Sequence, residues 1–491
     1  MPNVRSALAL SLVERYMLLA LTVVGNMVLA RLLTPGQIGV YSVSLAVIGL
    51  AQSLRDFGVG NYLIQERELT EDHVRTAFGV SLLLGLLLFV AALALAPVAA
   101  RYYREPRMVL TLRLSALNFL LMPVCTVSLS LLRREMQFKR LLYIAGASSL
   151  LGTVVSIGGA LAGFGENSLA SGSVASNLVT GVGAWLARRE RKLLLPGWSA
   201  WRSVLHFGGQ SSLSSFVTSL SMDANDLVVG KVLGFHPVAM LSRAQGLMNL
   251  FHRDLMGAVR NVALPAFSAA HREGRQLSAP HAKSVALTLV FAWPFYGLVG
   301  IYGLEILDLL YGAQWHEAAP LVPLFCGAGA LAAINALTPN LLVAVGRFDL
   351  ATRIDLLLQP IRLLLIVLAA SLFGSVRACA IAYLVWALAS TPVFWWAKRR
   401  SVEDDGPLLR RYLRSTLLVT AATLLPALLH ASWLGWSREV PAPPWQWLAV
   451  CAAGVCCGMV AVQWCAHPLA QEPSFRRLSA LLHRGTPRPV A

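Results

Sequence analysis

The chain has 491 residues, of which 56% are hydrophobic and only 13% are charged. A water-soluble protein of this length needs a far more charged surface, so the composition excludes a soluble globular class and predicts a polytopic α-helical membrane protein. The net charge of +17 does not indicate a nucleic-acid partner, because Lys and Arg also accumulate in the cytoplasmic loops of membrane proteins.

Apolar segments long enough to cross the hydrocarbon core follow one another along the whole chain. We predict about fourteen membrane spans, at 8–31, 37–57, 74–98, 109–132, 140–163, 168–187, 209–232, 237–264, 282–303, 317–343, 348–372, 377–397, 411–430 and 446–467. The first span is long enough to remain as a membrane helix rather than a cleaved signal peptide. The seven cysteines lack metal-ligand spacing, so we expect no metal and no cofactor.

The distribution of basic residues predicts how the chain is oriented. Loops after even-numbered spans are rich in Lys and Arg, whereas loops after odd-numbered spans hold only Arg31, the cluster Arg101/Arg104/Arg107, Lys231, Arg377 and Arg438. Basic loops stay in the cytoplasm. Both termini are therefore expected on the cytoplasmic side.

One joint between two spans occurs twice. Residues 28–47, "VLARLLTPGQIGVYSVSLAV", are echoed by residues 228–247, "VVGKVLGFHPVAMLSRAQGL". A second, weaker echo pairs 131–141 with 341–351. Because six spans separate the copies and six is even, both copies start on the same side of the membrane. They are expected to be parallel repeats about an axis normal to the membrane.

Two parallel lobes imply a cavity between them and rocking of one lobe against the other, which is transporter architecture. The predicted organisation is an N-terminal six-helix lobe, a basic cytoplasmic connector, a C-terminal six-helix lobe, two additional transmembrane helices and a basic cytoplasmic tail, with boundaries at 1–190, 191–208, 209–400, 401–470 and 471–491.

Span eight carries the richest set of polar residues. Gln245, Asn249, Arg253 and Arg260 follow spacings of four, four and seven, which place them on one helical face, and Asp254 adjoins Arg253. Charged side chains within a membrane usually face a cavity. The face is therefore a candidate cavity lining. The alternative is that these residues make structural contacts between the lobes, with each Arg paired to a carboxylate.

Spans one and two each hold an arginine beside an acidic residue. Arg15 follows Glu14, and Arg55 precedes Asp56. Both arginines lie towards the cytoplasmic ends of their spans, where a long side chain can snorkel to the surface. They are candidates for the same cavity or for interfacial anchors.

Spans seven and eleven supply further charges. Asp223 and Asp226 could couple transport to a cation or proton, or could neutralise arginines of span eight. Asp355, Gln359 and Arg362 share one face of span eleven through spacings of four and three. Cationic groups still outnumber carboxylates along the inferred cavity, which suits an anionic, phosphate-bearing cargo.

Several stretches resemble a known family. They are residues 30–78, beginning "ARLLTPGQIGVYSVSLAV", then "LAPVAARYYREP", "LLRREMQFKRL" and residues 226–268, beginning "DLVVGKVLGFHPVAMLSRAQGL". They resemble the polysaccharide transporters, flippases of lipid-linked oligosaccharides that share a superfamily with multidrug exporters and the peptidoglycan lipid-precursor flippase. The resemblance implies an all-α MATE-like fold of two parallel six-helix lobes plus two C-terminal helices.

The resemblance also implies a function. The cargo would be an oligosaccharide on undecaprenyl diphosphate, moved from the cytoplasmic to the periplasmic leaflet of the bacterial inner membrane for O-antigen, capsule or exopolysaccharide. Arg15, Arg55 and Arg253 stand on spans whose arginines surround the diphosphate in the precursor flippase, so the resemblance gives them that role. A polysaccharide polymerase and chain-length or export proteins are the expected partners. No motif for a coupling ion matches.

Two other function classes compete with a flippase. A cation-coupled exporter of drugs or metabolites would need an anionic or aromatic cavity, against which the buried arginines argue. A membrane enzyme such as a polysaccharide polymerase would need a large outer loop, and every predicted outer loop is short. We therefore expect no enzymatic activity. The same class includes a non-transporting assembly scaffold, which would tolerate loss of the span-eight arginines, whereas a flippase would not.

Overall fold

The computed structural model describes residues 4–55, 59–66, 68–188, 195–198, 201, 224–402, 406–436, 438–473 and 475–476. For residues 4–16, 19, 53–55, 61, 65 and 254 it describes the backbone only. Throughout these ranges the regular structure is helical and no strand occurs. The chain forms two compact units, Met1–Ala239 and Met240–Ala491. The predicted lobe boundaries at 190, 208 and 400 stay predictions.

The first unit is an assembly of α-helices. They are α1 (Val4–Leu32), α2 (Pro35–Arg55), α3 (Val59–Gln65), α4 (Glu71–Tyr103), α5 (Met108–Ala116), α6 (Asn118–Arg134), α7 (Phe138–Leu161) and α8 (Glu166–Ala187). Residues 224–232 are also helical. Helix α9 (Phe235–Asn249) begins in this unit and continues into the second.

The second unit continues α9 through a π-helical turn, Leu250–Leu255. Its α-helices are α10 (Met256–Arg272), α11 (Ser278–Ile301), α12 (Gly303–Tyr311), α13 (Val322–Asn335), α14 (Thr338–Ala344), α15 (Phe348–Phe373), α16 (Val376–Arg399), α17 (Gly406–Leu434) and α18 (Pro444–Trp464). Two 3-10 helices, Ala313–Leu321 and Pro468–Gln471, complete it.

Within the described ranges, nine helical segments are long and apolar enough to cross a membrane: Glu71–Tyr103, Met108–Arg134, Phe138–Leu161, Ser278–Ile301, Ala313–Ala344, Phe348–Phe373, Val376–Arg399, Gly406–Leu434 and Pro444–Trp464. The polytopic α-helical class predicted from composition is confirmed. The count of about fourteen spans stays a prediction, because most of predicted span seven lies outside the described residues.

In the first copy of the repeated joint, two local hydrogen bonds form the turn between α1 and α2. The Thr34 N–H donates to Oε1 of Gln37 at 2.9 Å, and the Gln37 N–H donates to Oγ1 of Thr34 at 3.4 Å. This reciprocal capping, with Pro35 at the first helical position, ends α1 and starts α2. In the second copy, Lys231 lies over the Tyr102 ring, 4.0 Å from its centroid, and the Tyr103 hydroxyl donates to the Leu227 carbonyl at 3.2 Å.

Two predicted spans are broken into shorter helices. Span 109–132 consists of α5 and α6, separated at Leu117. Span 317–343 consists of a 3-10 helix followed by α13 and α14. Pro339, in the first turn of α14, has no N–H to donate to the carbonyl of Asn335, the last residue of α13, which accounts for the second break. Pro123 lies inside α6 and does not account for the break at Leu117. Length and hydropathy identified both spans but did not predict the breaks within them.

Polar and small residues hold the helices of the first unit together. The Asn177 amide donates to Oδ1 of Asn118 at 2.8 Å, and the Asn118 amide donates to Oγ of Ser173 at 3.2 Å, which ties α6 to α8. Helices α7 and α8 approach closely because Gly172 faces Ser156 without room for a Cβ atom. Such contacts supply association energy where the surrounding lipid is as apolar as the side chains.

Helices α17 and α18 are fixed to the second unit at both of their ends. At one end, Arg438 Nη1 lies 3.1 Å from Oε1 of Glu305, whose side chain is fully buried. At the other, Lys283 Nζ lies 2.7 Å from Oε1 of Glu472. Tyr302 packs on Trp447 beside the first pair. These two C-terminal helices are therefore built into the second unit.

Candidate functional site

The predicted site residues of the first unit are described only in part. Glu14 and Arg15 lie in α1 and Arg55 ends α2, but their side chains fall outside the described residues, as do Asp56 and Asp223 entirely. Asp226 is half-buried in the helical residues 224–232. Their roles in binding or coupling stay predictions.

The polar residues of predicted span eight lie on three consecutive helical segments: α9, the π turn and α10. Gln245 and Asn249 are half-buried on α9, Arg253 lies within the π turn and is exposed, and Arg260 is half-buried on α10. The Asp254 side chain is outside the described residues. π turns within α-helices are frequent at functional sites, and no sequence pattern predicted this one.

Arg260 packs back against the π turn. Its Nη2 donates to the His252 carbonyl at 3.3 Å, and the Asn340 amide of α14 donates to the Arg260 carbonyl at 3.2 Å. Within the described part of the chain, Arg260 forms no ion pair. A half-buried guanidinium whose partner is a neutral carbonyl keeps donors for an oxyanion.

Arg362 has different surroundings from the residues predicted to share its face. Its side chain is buried, 7% exposed, with Cζ 5.3 Å from the Trp386 ring centroid. Side-chain hydrogen bonds link the Tyr383 hydroxyl to Arg362 and to Gln245. Asp355, about two helical turns before Arg362, is exposed. Arg362 therefore joins α9, α15 and α16 through an internal polar cluster.

Sequence reasoning missed Arg243. Its Cζ lies 4.8 Å from the Tyr311 ring centroid and 5.0 Å from that of Trp315, whose side chain is fully buried. Its Nε atom is buried without a hydrogen-bond partner in the described part of the chain. The one available signal was a basic residue two positions before Gln245. Its aromatic neighbours are some seventy positions further along the chain, which no local pattern connects.

A cavity of about 1450 Å³ opens within the second unit, among α11, α13, α16 and α17. Its wall is mainly apolar, and the charged residues along it are Arg377, Arg438 and Glu439, with His316 beside them. None of the site residues predicted from sequence lines it. An apolar wall with one more basic than acidic side chain could hold an apolar chain with an anionic end.

A family model described as "Polysaccharide biosynthesis protein" matches residues 28–320. The chain is 24% identical over 375 residues to the lipopolysaccharide biosynthesis protein WzxC of Escherichia coli (strain K12), an overlap that covers 74% of this chain and 75% of WzxC. It is 22% identical over 356 residues to the teichuronic acid biosynthesis protein TuaB of Bacillus subtilis (strain 168), covering 69% of each.

Among solved structures, the lipid II flippase MurJ in its inward closed conformation matches with a TM-score of 0.73 and 10% identity, over 93% of this chain and 97% of MurJ. An inward-facing MATE multidrug transporter matches with a TM-score of 0.61 and 15% identity, over 80% of this chain and 95% of that one. At these identities the likeness shows the fold, which confirms the predicted MATE-like class. With the family match over more than half its length, the chain is a membrane-spanning member of the polysaccharide biosynthesis protein family.

Proposed function

We propose that this protein is a flippase for undecaprenyl-diphosphate-linked oligosaccharide repeat units. It moves them from the cytoplasmic to the periplasmic leaflet of the bacterial inner membrane by alternating access, for O-antigen, capsule or exopolysaccharide. The family match over residues 28–320 carries this proposal. The names of WzxC and TuaB point to surface polysaccharides, and the fold shared with the lipid II flippase supports a lipid-linked cargo.

The cargo's diphosphate is the group that the arginines would recognise. Arg260 is half-buried with a neutral carbonyl partner, and a guanidinium offers forked donors to phosphate oxygens. We include Arg15, Arg55 and Arg253 as diphosphate contacts, and Gln245 and Asn249 as neutral donors to the headgroup. The apolar cavity of the second unit is suited to part of the isoprenoid chain.

The orientation of the chain gives transport a direction. The basic loops predict that both termini lie in the cytoplasm. Moving two negative charges out of a negative interior is favoured by roughly 2.3 kcal/mol per charge per 100 mV. Outward transfer is therefore favourable without a coupled ion. A polymerase and chain-length or export proteins would receive the cargo on the outer side.

A cation-coupled exporter of small molecules is the second candidate, because the MATE transporter shares this fold. It predicts a different phenotype. Loss of an exporter would raise sensitivity to cationic drugs and leave lipid-linked glycans unchanged. Arg260, held without a carboxylate in the described residues, favours an anionic cargo over a cationic one.

Deletion of the gene is expected to accumulate complete undecaprenyl-diphosphate oligosaccharide and to abolish surface polymer. Complementation with Arg260→Ala is expected to restore about a tenth or less of the polymer, since one charge-assisted phosphate contact is worth about 1.5–3 kcal/mol. Mass spectrometry of extracted lipids and gel analysis of surface polysaccharide measure both.

The matched control is Arg272→Ala, which removes an exposed arginine from the last turn of the same helix, α10. It is expected to complement fully at equal expression. If the deletion strain has normal lipids, normal polymer and new drug sensitivity, the flippase proposal is wrong and the exporter is favoured. Full rescue by Arg260→Ala would remove Arg260 from the cargo site.

A further inference from the structure

A cavity of about 470 Å³, here called the basic pocket, lies between the start of α17 and the end of α18. Three arginines line it, Arg410, Arg411 and Arg414, together with Leu418 and the two residues that follow α18. None of these arginines belongs to the cargo site proposed above. Three planar guanidinium groups around one concave space offer forked donors to the oxygens of a phosphate.

One wall of the basic pocket is held in place by the way in which α18 ends. The N–H of His467 donates to the Val462 carbonyl at 3.1 Å, and Ala466 between them is left-handed, with a φ of +46°. This arrangement closes the end of a helix. The His467 ring then ties the wall to α17, since its Nε2 lies 3.0 Å from Oγ1 of Thr416. The pocket is therefore formed by the packing of the two helices.

The polar and apolar residues of α17 form a continuous stripe that begins in the basic pocket. Arg411, Arg414, Leu418 and Leu425 follow spacings of three, four and seven, which place them on one helical face. Leu418 is 59% exposed and Leu425 is 55% exposed, on a helix that is long and apolar enough to cross a membrane. A ligand with a phosphate and an apolar chain matches both parts of this stripe, whereas free phosphate matches only the first.

The expected orientation places the basic pocket at the cytoplasmic surface of the membrane. The loop before α17 is one of the basic loops, and α18 ends on the same side. At that level the arginines meet the phosphates of the inner leaflet, and the leucines lie in its hydrocarbon. Basic pockets between transmembrane helices on the cytoplasmic side bind anionic lipid headgroups.

We propose that the basic pocket binds the phosphate of an anionic glycerophospholipid of the cytoplasmic leaflet, with an acyl chain along Leu418 and Leu425. The bound lipid joins the start of α17 to the end of α18 and stabilises this pair of helices. The inference goes beyond the proposed function and does not depend on it, because the lipid is a component of the membrane and not the cargo. A flippase and a small-molecule exporter would both contain this site.

The test measures equilibrium binding to the full chain in an uncharged detergent. The probes are dioctanoyl phosphatidylglycerol, dioctanoyl phosphatidylcholine and glycerol phosphate. The unmodified chain is expected to prefer phosphatidylglycerol over the other two by about tenfold or more, because only this probe has both a net negative charge and acyl chains. The double variant Arg411→Gln/Arg414→Gln is expected to lose that preference.

The matched control removes two exposed arginines from the start of another helix that is expected on the same side of the membrane. It is Arg347→Gln/Arg353→Gln at the start of α15, and it is expected to bind phosphatidylglycerol as the unmodified chain does. An equal loss in both double variants would show general attraction to a basic surface and would overturn the inference. Glycerol phosphate binding as tightly as the lipid would overturn it in favour of a soluble phosphate.

Two further variants separate the remaining explanations. Arg411→Lys/Arg414→Lys keeps the charge but loses the forks, so a loss of severalfold is expected, and unchanged affinity would overturn the inference even where the Gln variant does not fold. Glu403, Asp404 and Asp405 precede α17 and lie outside the described residues. Replacing them by their amides is expected to change lipid binding by less than about threefold. A gain of tenfold or more would show that these carboxylates occupy the pocket arginines, and the lipid site would be wrong.

Discussion

Three arginine residues of the second unit illustrate different kinds of surroundings. Arg438 is paired with the buried carboxylate of Glu305, Arg362 stacks on aromatic rings inside a polar cluster, and Arg260 donates to a backbone carbonyl. Removing one partner of a buried pair leaves an uncompensated charge, which makes the first kind structural. The third kind has donors to spare for a ligand. Residue type alone does not distinguish them, because the difference lies in the neighbours.

His467 is expected to make stability depend on pH. It is fully buried just beyond the end of α18, its Nδ1 accepts the Leu469 N–H at 3.1 Å, and its Nε2 lies 3.0 Å from Oγ1 of Thr416. Burial lowers the pKa of this imidazole to about 4. The contribution of neutral His467 to the free energy of unfolding is therefore fully present above the ordinary histidine pKa near 6.5. It is lost as pH falls towards 4, and the total loss is about 3 kcal/mol.

The measurement is the thermal midpoint of the purified chain at pH 7.5, 6 and 5. His467→Asn keeps an acceptor for the Leu469 N–H without a titrating ring, so its midpoint is expected to fall less with acidification. Other histidines titrate equally in both chains and cancel in the comparison. Parallel pH curves for the two chains would show that His467 does not carry the dependence.

At the scale of elements, close helix packing depends on small residues. Gly454 and Gly458 of α18 face Thr423 of α17, where an added Cβ atom would overlap the Thr423 carbonyl or hydroxyl oxygen. The spacing of four residues places both glycines on one stripe. This contact lets the two C-terminal helices pack along their length.

Gly454→Ala is expected to destabilise the α17–α18 pair, by about 1–3 kcal/mol, because the carbonyl it meets belongs to the backbone and cannot turn away. Thermal midpoint and protease resistance in detergent measure the loss. The control is Gly158→Ala in α7, whose Cβ would meet nothing within 4 Å. Equal stability of the two variants would mean that α17 and α18 do not pack as closely as described.

Within the elements, hydropathy and proline have separate effects. The apolar runs of 109–132 and 317–343 predicted single spans, yet each is divided, and the second is divided beside Pro339, which lacks a backbone donor. The π turn at Leu250–Leu255 had no such signal. It depends on contacts from Arg260 and on packing against other helices, which a local pattern does not contain.

At the scale of the molecule, the basic loops predict the orientation. A reporter fused after Glu273, which follows α10, is expected to be active as green fluorescent protein in the cytoplasm and inactive as alkaline phosphatase. A fusion after Gly374, between α15 and α16, is expected to show the reverse. The same compartment for both sites would contradict the expected topology.

Composition and hydropathy by themselves determined that this chain is a polytopic helical membrane protein, because repeated apolar runs of about 20 residues cross a bilayer as helices whose backbone donors are satisfied internally. The quoted stretches also indicated the family. Tertiary structure alone decided which charges are compensated. Glu305 reaches Arg438, and Arg243 meets Tyr311 and Trp315, across separations that no sequence spacing encodes. The role of a charged side chain in a membrane protein depends on the groups around it, and the tertiary fold brings those groups together.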